Sequence, residues 1–360
     1  MNRRTFLRGL SSGSFGDGSL IRVGNNENPY GPGPAALEAL SRATTRAHRY
    51  PGGLSRDLAA TISRVHDVPL DHILLSGGSG DVMRAAVYTF TSPVRGLVFP
   101  RPSYEAPMRS AQHIGSPVIR VQLTPALTLD VRTIASRSAQ GGLVYICNPN
   151  NPTGTVVPAA DLSTMIASVI RTSPDTRFLV DEAYFDYADA PGSGSMIPLA
   201  VKHPQVIVTR TFSKIHGMAG MRVAYAIAQP DTLAALRLRH SASSLGAASL
   251  AAAAASLADV EYLAQMAELN RSVRSFMVDG FARAGFQVAP ADANFIFVNI
   301  RRDARAFGDA CYAQGVQVGR VFPPLGNWAR IAVGTGAEMK AAMDVFLSVL
   351  AAPPVPTRRG

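Results

Sequence analysis

Four short polar stretches each follow an apolar run, and together they hold most of the side chains able to do chemistry. Leu143-Val-Tyr-Ile-Cys147 runs into Asn148-Pro-Asn-Asn151-Pro-Thr-Gly154, and Phe178-Leu-Val180 runs into Asp181-Glu-Ala-Tyr184. Val206-Ile-Val-Thr209 leads to Arg210-Thr211-Phe-Ser213-Lys214 and then Gly217-Met-Ala-Gly220-Met-Arg222. Ile73-Leu-Leu75 leads to Ser76-Gly-Gly-Ser79-Gly80-Asp81, which opens a helical stretch. The set comprises an amide, an acid with a phenol, an amine with hydroxyls, and a glycine-rich turn at a helix start. A desolvated lysine is a nucleophile and a proton carrier. A glycine turn feeding a helix start binds anions through its amides and the helix dipole. Each stretch also has an ordinary reading when taken singly. Asn-Pro-Asn-Asn-Pro-Thr-Gly is a run of turn residues, Asp181 can cap a helix, and a Ser-Lys pair is usually surface. Lys214 stands out because the chain has only three lysines, the others being Lys202 and Lys340.

The elements that must position these groups are short, β-branched runs alternating with helical patterns. Beyond the four named above, Gly96-Leu-Val-Phe99, Pro117-Val-Ile-Arg-Val121 and Val223-Ala-Tyr-Ala-Ile227 read as strands, bounded by Pro, Gly or Asp. Helical stretches such as Asp81–Phe90 and Ala159–Arg171 lie between them. Such alternation predicts an α/β domain, a mostly parallel sheet with helices on both faces. Ligands of an open sheet of this kind bind beyond the carboxyl ends of its strands, where all four polar stretches fall. Residues 231–285 read as mostly helical. Phe295–Ile300 and Ala329–Val333 are strands again, with helices at Ala304–Gln314 and Ala337–Ala351, which predicts a smaller α+β domain. The expected division is a flexible segment 1–18, an N-terminal arm 19–45 joining the small domain, and a large domain 46–240. A helical linker 241–285, a small domain 286–351 and a disordered tail 352–360 follow.

A chain of 360 residues that is 47% apolar is globular and large enough for a second domain. No run of about 20 apolar residues is present, so no membrane partner is expected. The net charge of +10 comes from scattered arginines, without interleaved aromatic residues, so no nucleic-acid partner is expected either. Cys147 and Cys311 lie far apart with no CxxC or histidine pair, which argues against a metal site. Arg3-Arg4-Thr-Phe6-Leu7 looks like a twin-arginine export signal, but the next residues are polar and glycine-rich where about 7–15 apolar residues are needed. A cytoplasmic product is expected, with periplasmic export as the alternative.

Taken together the motifs resemble fold type I pyridoxal-phosphate enzymes, most closely the histidinol-phosphate aminotransferase family, over about residues 20–350. The marks are Asn26-Glu-Asn-Pro-Tyr30-Gly-Pro, Arg49-Tyr50-Pro51, Pro102-Ser-Tyr104, the Asn148–Gly154 and Asp181–Tyr184 stretches, Ser213-Lys214 with Arg222 eight residues on, Ala293-Asn294-Phe295, and Arg330-Ile-Ala-Val-Gly-Thr335. The resemblance implies a large domain with a mostly parallel seven-stranded sheet and a smaller α+β domain. It implies pyridoxal 5'-phosphate as cofactor, held through its aldehyde by Lys214, with Asp181 facing the ring nitrogen. Tyr184 and Asn151 would then meet the ring's phenolic oxygen, and Tyr104 would stack on the ring. Ser79, Gly80, Thr211, Ser213 and Arg222 would cradle the phosphate, Arg222 in bidentate fashion. Tyr50 would reach the phosphate in a neighbouring subunit, which implies a homodimer with shared active sites.

By the same resemblance Arg330 pairs with the substrate's carboxylate, and Asn26 and Tyr30 fold over it, although Asn-Pro-Tyr-Gly-Pro also reads as a structural turn. Arg320 could bind a second anion, but Gly319 and Phe322-Pro-Pro324 depart from the family pattern there. The implied reaction is transfer of an amino group between a small-molecule donor, of histidinol-phosphate or aromatic type, and a 2-oxo acid such as 2-oxoglutarate. Cofactor motifs alone do not separate this from a decarboxylase or a β-eliminating lyase.

Overall fold

A computed structural model describes residues 20–240 and 245–353. The arginine pair near the N-terminus and residues 354–360 of the proline-rich tail lie outside the described residues. The strands β1 to β12 are Ile21–Val23, Ile73–Ser76, Gly96–Arg101, Val118–Gln122, Gly141–Cys147, Arg177–Asp181, Val206–Thr211, Ala224–Ile227, Gln287–Val288, Phe295–Asn299, Val316–Val318 and Trp328–Ala332. The helices α1 to α12 are Pro34–Thr44, Leu54–His66, Ser79–Phe90, Ala106–His113, Val131–Ser138, Ala159–Thr172, Ile197–Lys202, Pro230–Arg237, Ala247–Ala258, Val260–Arg283, Ala304–Tyr312 and Gly336–Ala351.

The seven-stranded sheet has the order β2-β8-β7-β6-β5-β3-β4. Pairings from β4 through β7 are parallel, and β8 alone runs antiparallel to both of its neighbours. Its strands are apolar on both faces because both are covered. Val144, Ile146, Phe178, Val180, Val206 and Val208 enter a core with Leu58, Ile62, Leu162, Ile166 and Leu250 of the helices on one side. The alternate residues Leu143, Tyr145, Cys147, Leu179 and Ile207 pack on the other side against Val82, Val87, Leu233 and Leu236. That period of two puts Asp181 on the same face as Tyr145 and Cys147.

Strand polarity gathers the chemistry at one edge. Ser76, Cys147, Asp181 and Thr211 all end strands that point the same way. Because β8 is reversed, its first residue, Ala224, lies opposite both Thr211 and Ser76. Arg222, two residues ahead of it, is thereby delivered to the edge where the other strands finish.

A second core gathers Phe281, Phe295, Ile296, Val298, Phe307, Ile331, Phe346 and Leu350 around the antiparallel trio β9, β10 and β12. The short strand β1 pairs in parallel with β11, which ties the chain's beginning to that core. After β1 the chain crosses back, and α1 packs on α9 beside the large sheet. Among the described residues no single helix is long and apolar enough to cross a membrane.

Candidate functional site

The glycine turn after β2 leads directly into α3. Gly78 has φ +121°, outside the range of L side chains, and a Cβ there would lie 2.3 Å from Nη2 of Arg222. The missing side chain is what lets the guanidinium lie over the helix start. Arg222 itself is left-handed (φ 54°) and donates from Nη1 to the Ala219 carbonyl at 2.9 Å. Among the described residues no carboxylate lies within ion-pair distance of Arg222. Thr211 donates its hydroxyl to Ser213 Oγ at 2.9 Å and accepts from the Ser213 amide at 3.1 Å. Arg222 without a carboxylate partner, two hydroxyls and a helix start without a side-chain cap, where Asp81 is drawn off by Arg84 at 2.8 Å, supply donors that suit a phosphate dianion. Gly78→Ala is expected to push the guanidinium aside and weaken cofactor affinity by tenfold or more, about 1.4 kcal/mol. Fluorescence titration of the cofactor-free variant with pyridoxal phosphate checks it.

Asp181 is fully buried at the end of β6. Its Oδ1 accepts from the Ala183 amide at 3.2 Å and its Oδ2 from the Tyr145 hydroxyl at 2.9 Å. Burial raises its pKa to about 6, against the opposing pull of the Tyr145 hydrogen bond. Lys214 donates from Nζ to the carbonyls of Asn26 at 3.0 Å and Asn25 at 3.2 Å, and lies 5.6 Å from the Tyr184 ring centre. Burial, then the charge of Arg330, lowers its pKa to about 8. Tyr184 is buried, and its hydroxyl accepts from both Asn26 and Asn151 at 3.1 Å. Burial likewise raises the Tyr104 pKa, and the Asp181 carboxylate adds to the rise. Tyr104 is 40% exposed.

Arg330 donates from Nη1 to Asn151 Oδ1 at 2.8 Å and from Nη2 to the Gly24 carbonyl at 2.6 Å. Burial is the main cause that lowers its pKa to about 10. Asn294 Nδ2 holds the Asn26 carbonyl at 3.0 Å. Three buried polar atoms nearby have no partner, namely Asn26 Oδ1, Asn294 Oδ1 and Arg330 Nε. Unsatisfied buried groups in such a cluster mark a place where a polar ligand completes the hydrogen bonding.

The structure thus brings Lys214, Asp181, Tyr184, Asn151, Tyr104, Arg330 and Asn26 together, with Ser79, Gly80, Thr211, Ser213 and Arg222 at the adjoining strand ends. Tyr30 instead packs against the apolar cluster of Tyr187, Ile215, Tyr262 and Met266. Tyr50 is 99% exposed, in a cleft of about 420 Å³ with Arg42, Arg46 and Arg49 that contains none of the Lys214 cluster. Arg320 is held by Glu105, Nη2 to Oε2 at 3.1 Å.

Two further groups shape the site and were not singled out from sequence. Tyr145 is one; a tyrosine in a fully buried strand needs a partner for its hydroxyl, which was a usable signal. The other is Glu182, buried with Arg210 at 2.8 Å and also accepting from Ser195 Oγ at 2.8 Å and the Met196 amide at 2.6 Å. This pair fastens the turn after β6 to β7 and so fixes Asp181 and Tyr184 relative to Lys214. Removing one partner of such a pair strands a buried charge, which costs about 3–5 kcal/mol.

A sequence profile of the family described as aminotransferase class I and II matches residues 19–346. The chain is 34% identical to a histidinol-phosphate aminotransferase of Symbiobacterium thermophilum over 337 residues, covering 92% of this chain and 91% of the relative. It is 35% identical to a histidinol-phosphate aminotransferase of Gluconacetobacter diazotrophicus, covering 92% of each. The crystal structure of histidinol-phosphate aminotransferase from Sinorhizobium meliloti in complex with pyridoxal-5'-phosphate superposes with a TM-score of 0.84 at 26% identity, covering 92% of this chain and 90% of that one.

Proposed function

The chain belongs to the class I and II aminotransferases, pyridoxal-phosphate-dependent transaminases, and from that premise we propose how its own residues perform the reaction and on what. The substrates are an amino acid or an amino-alcohol phosphate, of histidinol-phosphate or aromatic type, and a 2-oxo acid such as 2-oxoglutarate. The observation that carries this reading is geometric: Lys214, its Nζ 5.6 Å from the Tyr184 ring centre and 3.0 Å from the Asn26 carbonyl, lies within electrostatic reach of the buried Asp181 carboxylate and of the Arg330 and Arg222 guanidinium groups.

Bound here, pyridoxal phosphate supplies an aldehyde carbon that exchanges amino groups and a protonated ring that withdraws electrons from the substrate carbon. Lys214 is the residue that holds the aldehyde. With its amine free, Nζ would take the proton from the donor's Cα as a general base and deliver it, as a general acid, to the carbon that had carried the aldehyde. Asp181 keeps the ring nitrogen protonated through its negative charge, and Tyr145 and Ala183 orient its two oxygens. Tyr184, whose hydroxyl accepts from Asn151, would donate to the ring's phenolic oxygen, and Tyr104 would cover the ring. Ser79, Gly80, Thr211, Ser213 and Arg222 hold the phosphate. Arg330 binds the substrate's anionic group, with Asn26 closing the site from the N-terminal arm.

The enzyme is a homodimer in which Tyr50 of one protomer reaches the phosphate cradle of its partner. A fully exposed tyrosine among arginines supports this, since aromatic residues and arginine are enriched at interfaces.

The test is a half-reaction. An L-amino acid donor added to the loaded protein is expected to bleach the bound cofactor's visible absorbance and release one equivalent of 2-oxo acid, and 2-oxoglutarate is expected to restore the band. Release of CO2, or of ammonia with an unrecovered spectrum, would assign the protein to another reaction on this fold.

A further inference from the structure

Two guanidinium groups, those of Arg330 and Arg320, lie against Phe322, and only that of Arg330 is free to meet an anion. Phe322 lies under both of them. Arg330 Cζ is 4.9 Å from its ring centre and Arg320 Cζ is 4.3 Å away. Arg330 spends one hydrogen bond from each Nη on Asn151 and Gly24, and has N–H groups to spare. The chain approaches it closely at Gly319, where a Cβ would lie 2.8 Å from the Arg330 carbonyl and 3.4 Å from its Nε. Position 319 therefore presents no side chain to the subsite, and the next cation along is Arg320.

Arg320 is directed elsewhere. Both its terminal nitrogens face Glu105, Nη2 to Oε2 at 3.1 Å and Nη1 to Oε1 at 3.4 Å, and Nη1 also donates to the Val321 carbonyl at 3.1 Å. Glu105 follows Tyr104 and accepts from one further cation, the exposed Arg109, at 2.9 Å. Arg109 lies on the solvent side of the carboxylate, where water and salt screen its charge. Arg320, whose side chain is 45% exposed, is thus compensated by a carboxylate that joins the loop after β3 to the loop before β12. What remains uncompensated beside the substrate position is the single charge of Arg330.

We propose that Glu105 withholds Arg320 from the anion subsite and so sets the donor class: α-amino carboxylates, whose anion is a monoanion, in preference to amino-alcohol phosphates, whose anion is a dianion. The physical basis is charge balance in a desolvated place. A carboxylate pairs with one guanidinium in bidentate fashion. A phosphate dianion placed against one free guanidinium leaves excess buried charge, which is unfavourable unless a second cation is released to meet it. The inference rests on the reading of Arg330 as the residue that binds the substrate's anionic group.

The experiment measures binding rather than turnover. Dissociation constants are taken by calorimetry on the pyridoxal-phosphate-loaded protein for two unreactive ligands with the same organic part, 3-phenylpropionate and 2-phenylethyl phosphate. The unaltered protein is expected to bind the carboxylate more tightly. Glu105→Ala is expected to strengthen phosphate binding by about tenfold with little change for the carboxylate, the worth of one added charged hydrogen bond. Glu105→Ala combined with Arg320→Ala is expected to return the ratio to its original value, which separates Arg320 from Arg109 as the cation released. Circular dichroism and the bound-cofactor absorbance of each variant confirm that it is folded and loaded. If Arg330→Gln weakens both ligands while Glu105→Ala leaves their ratio unchanged, the role of Glu105 is overturned and that of Arg330 stands. If Arg330→Gln binds both ligands as before, the reading of Arg330 falls and the inference falls with it.

Discussion

Lys214→Ala is expected to lose turnover by at least about 10⁴-fold, the upper range for removing a general acid–base group, because it removes covalent attachment as well. Among the described residues no other amine can replace it. Lys202 ends the short helix α7 and Lys340 lies on α12, neither of them at the strand-end cleft. A lysine with its pKa lowered to about 8 has roughly 200 times more neutral amine at pH 7 than one at its usual value of about 10.4. Neutral amine is the form that attacks a carbonyl. Loading of the cofactor-free protein with pyridoxal phosphate should therefore accelerate as pH rises through about 8 and then level off. Borohydride treatment followed by mass spectrometry should add the cofactor to the unaltered protein and not to Lys214→Ala. A variant that still gained that mass, or a loading rate still climbing steeply at pH 10, would place the reactive amine elsewhere.

The strand-end chemistry was legible from sequence for a physical reason. Strands buried on both faces must be short, apolar and β-branched, so Leu143–Cys147 and Phe178–Val180 announce themselves, and the polar residues that follow must sit at a sheet edge. Groups that depend on pairing across the fold were not legible. Ile21–Val23 is a strand only because Val316–Val318 lies beside it. Glu182 adjoins Asp181 in sequence but points to the opposite face, and nothing local ties it to Arg210. Glu105 and Arg320 are joined only by the fold, so Arg320 reads from sequence as a free cation when it is already paired. Tyr30, in a motif whose spacing suits both a turn and a site, packs into an apolar cluster.

Asp181→Asn should separate stability from activity. In the cofactor-free protein burial raises the Asp181 pKa to about 6, whereas an unfolded chain has it near 3.8. The folded protein therefore prefers the protonated acid. The stability this group contributes is fully present below about pH 3.8 and is lost as pH rises through about 6, a difference on the order of 3 kcal/mol. Asparagine carries no charge to desolvate. Its carbonyl can accept from the Ala183 amide while its NH₂ donates to the Tyr145 hydroxyl, which rotates to accept. Cofactor-free Asp181→Asn should therefore unfold at a higher temperature than the unaltered protein at pH 8 and at nearly the same temperature at pH 4. Its activity should move the other way. Without the carboxylate the ring nitrogen loses the charge that keeps it protonated, and losing one partner of a buried pair, about 3–5 kcal/mol, corresponds to a fall in kcat of about 10²–10⁴-fold. Thermal unfolding at the two pH values and single-turnover kinetics with a saturating donor measure the two effects independently. An Asp181→Asn variant that was destabilised at pH 8, or that turned over at the original rate, would mean that the carboxylate is structural and that the ring nitrogen is served by some other group.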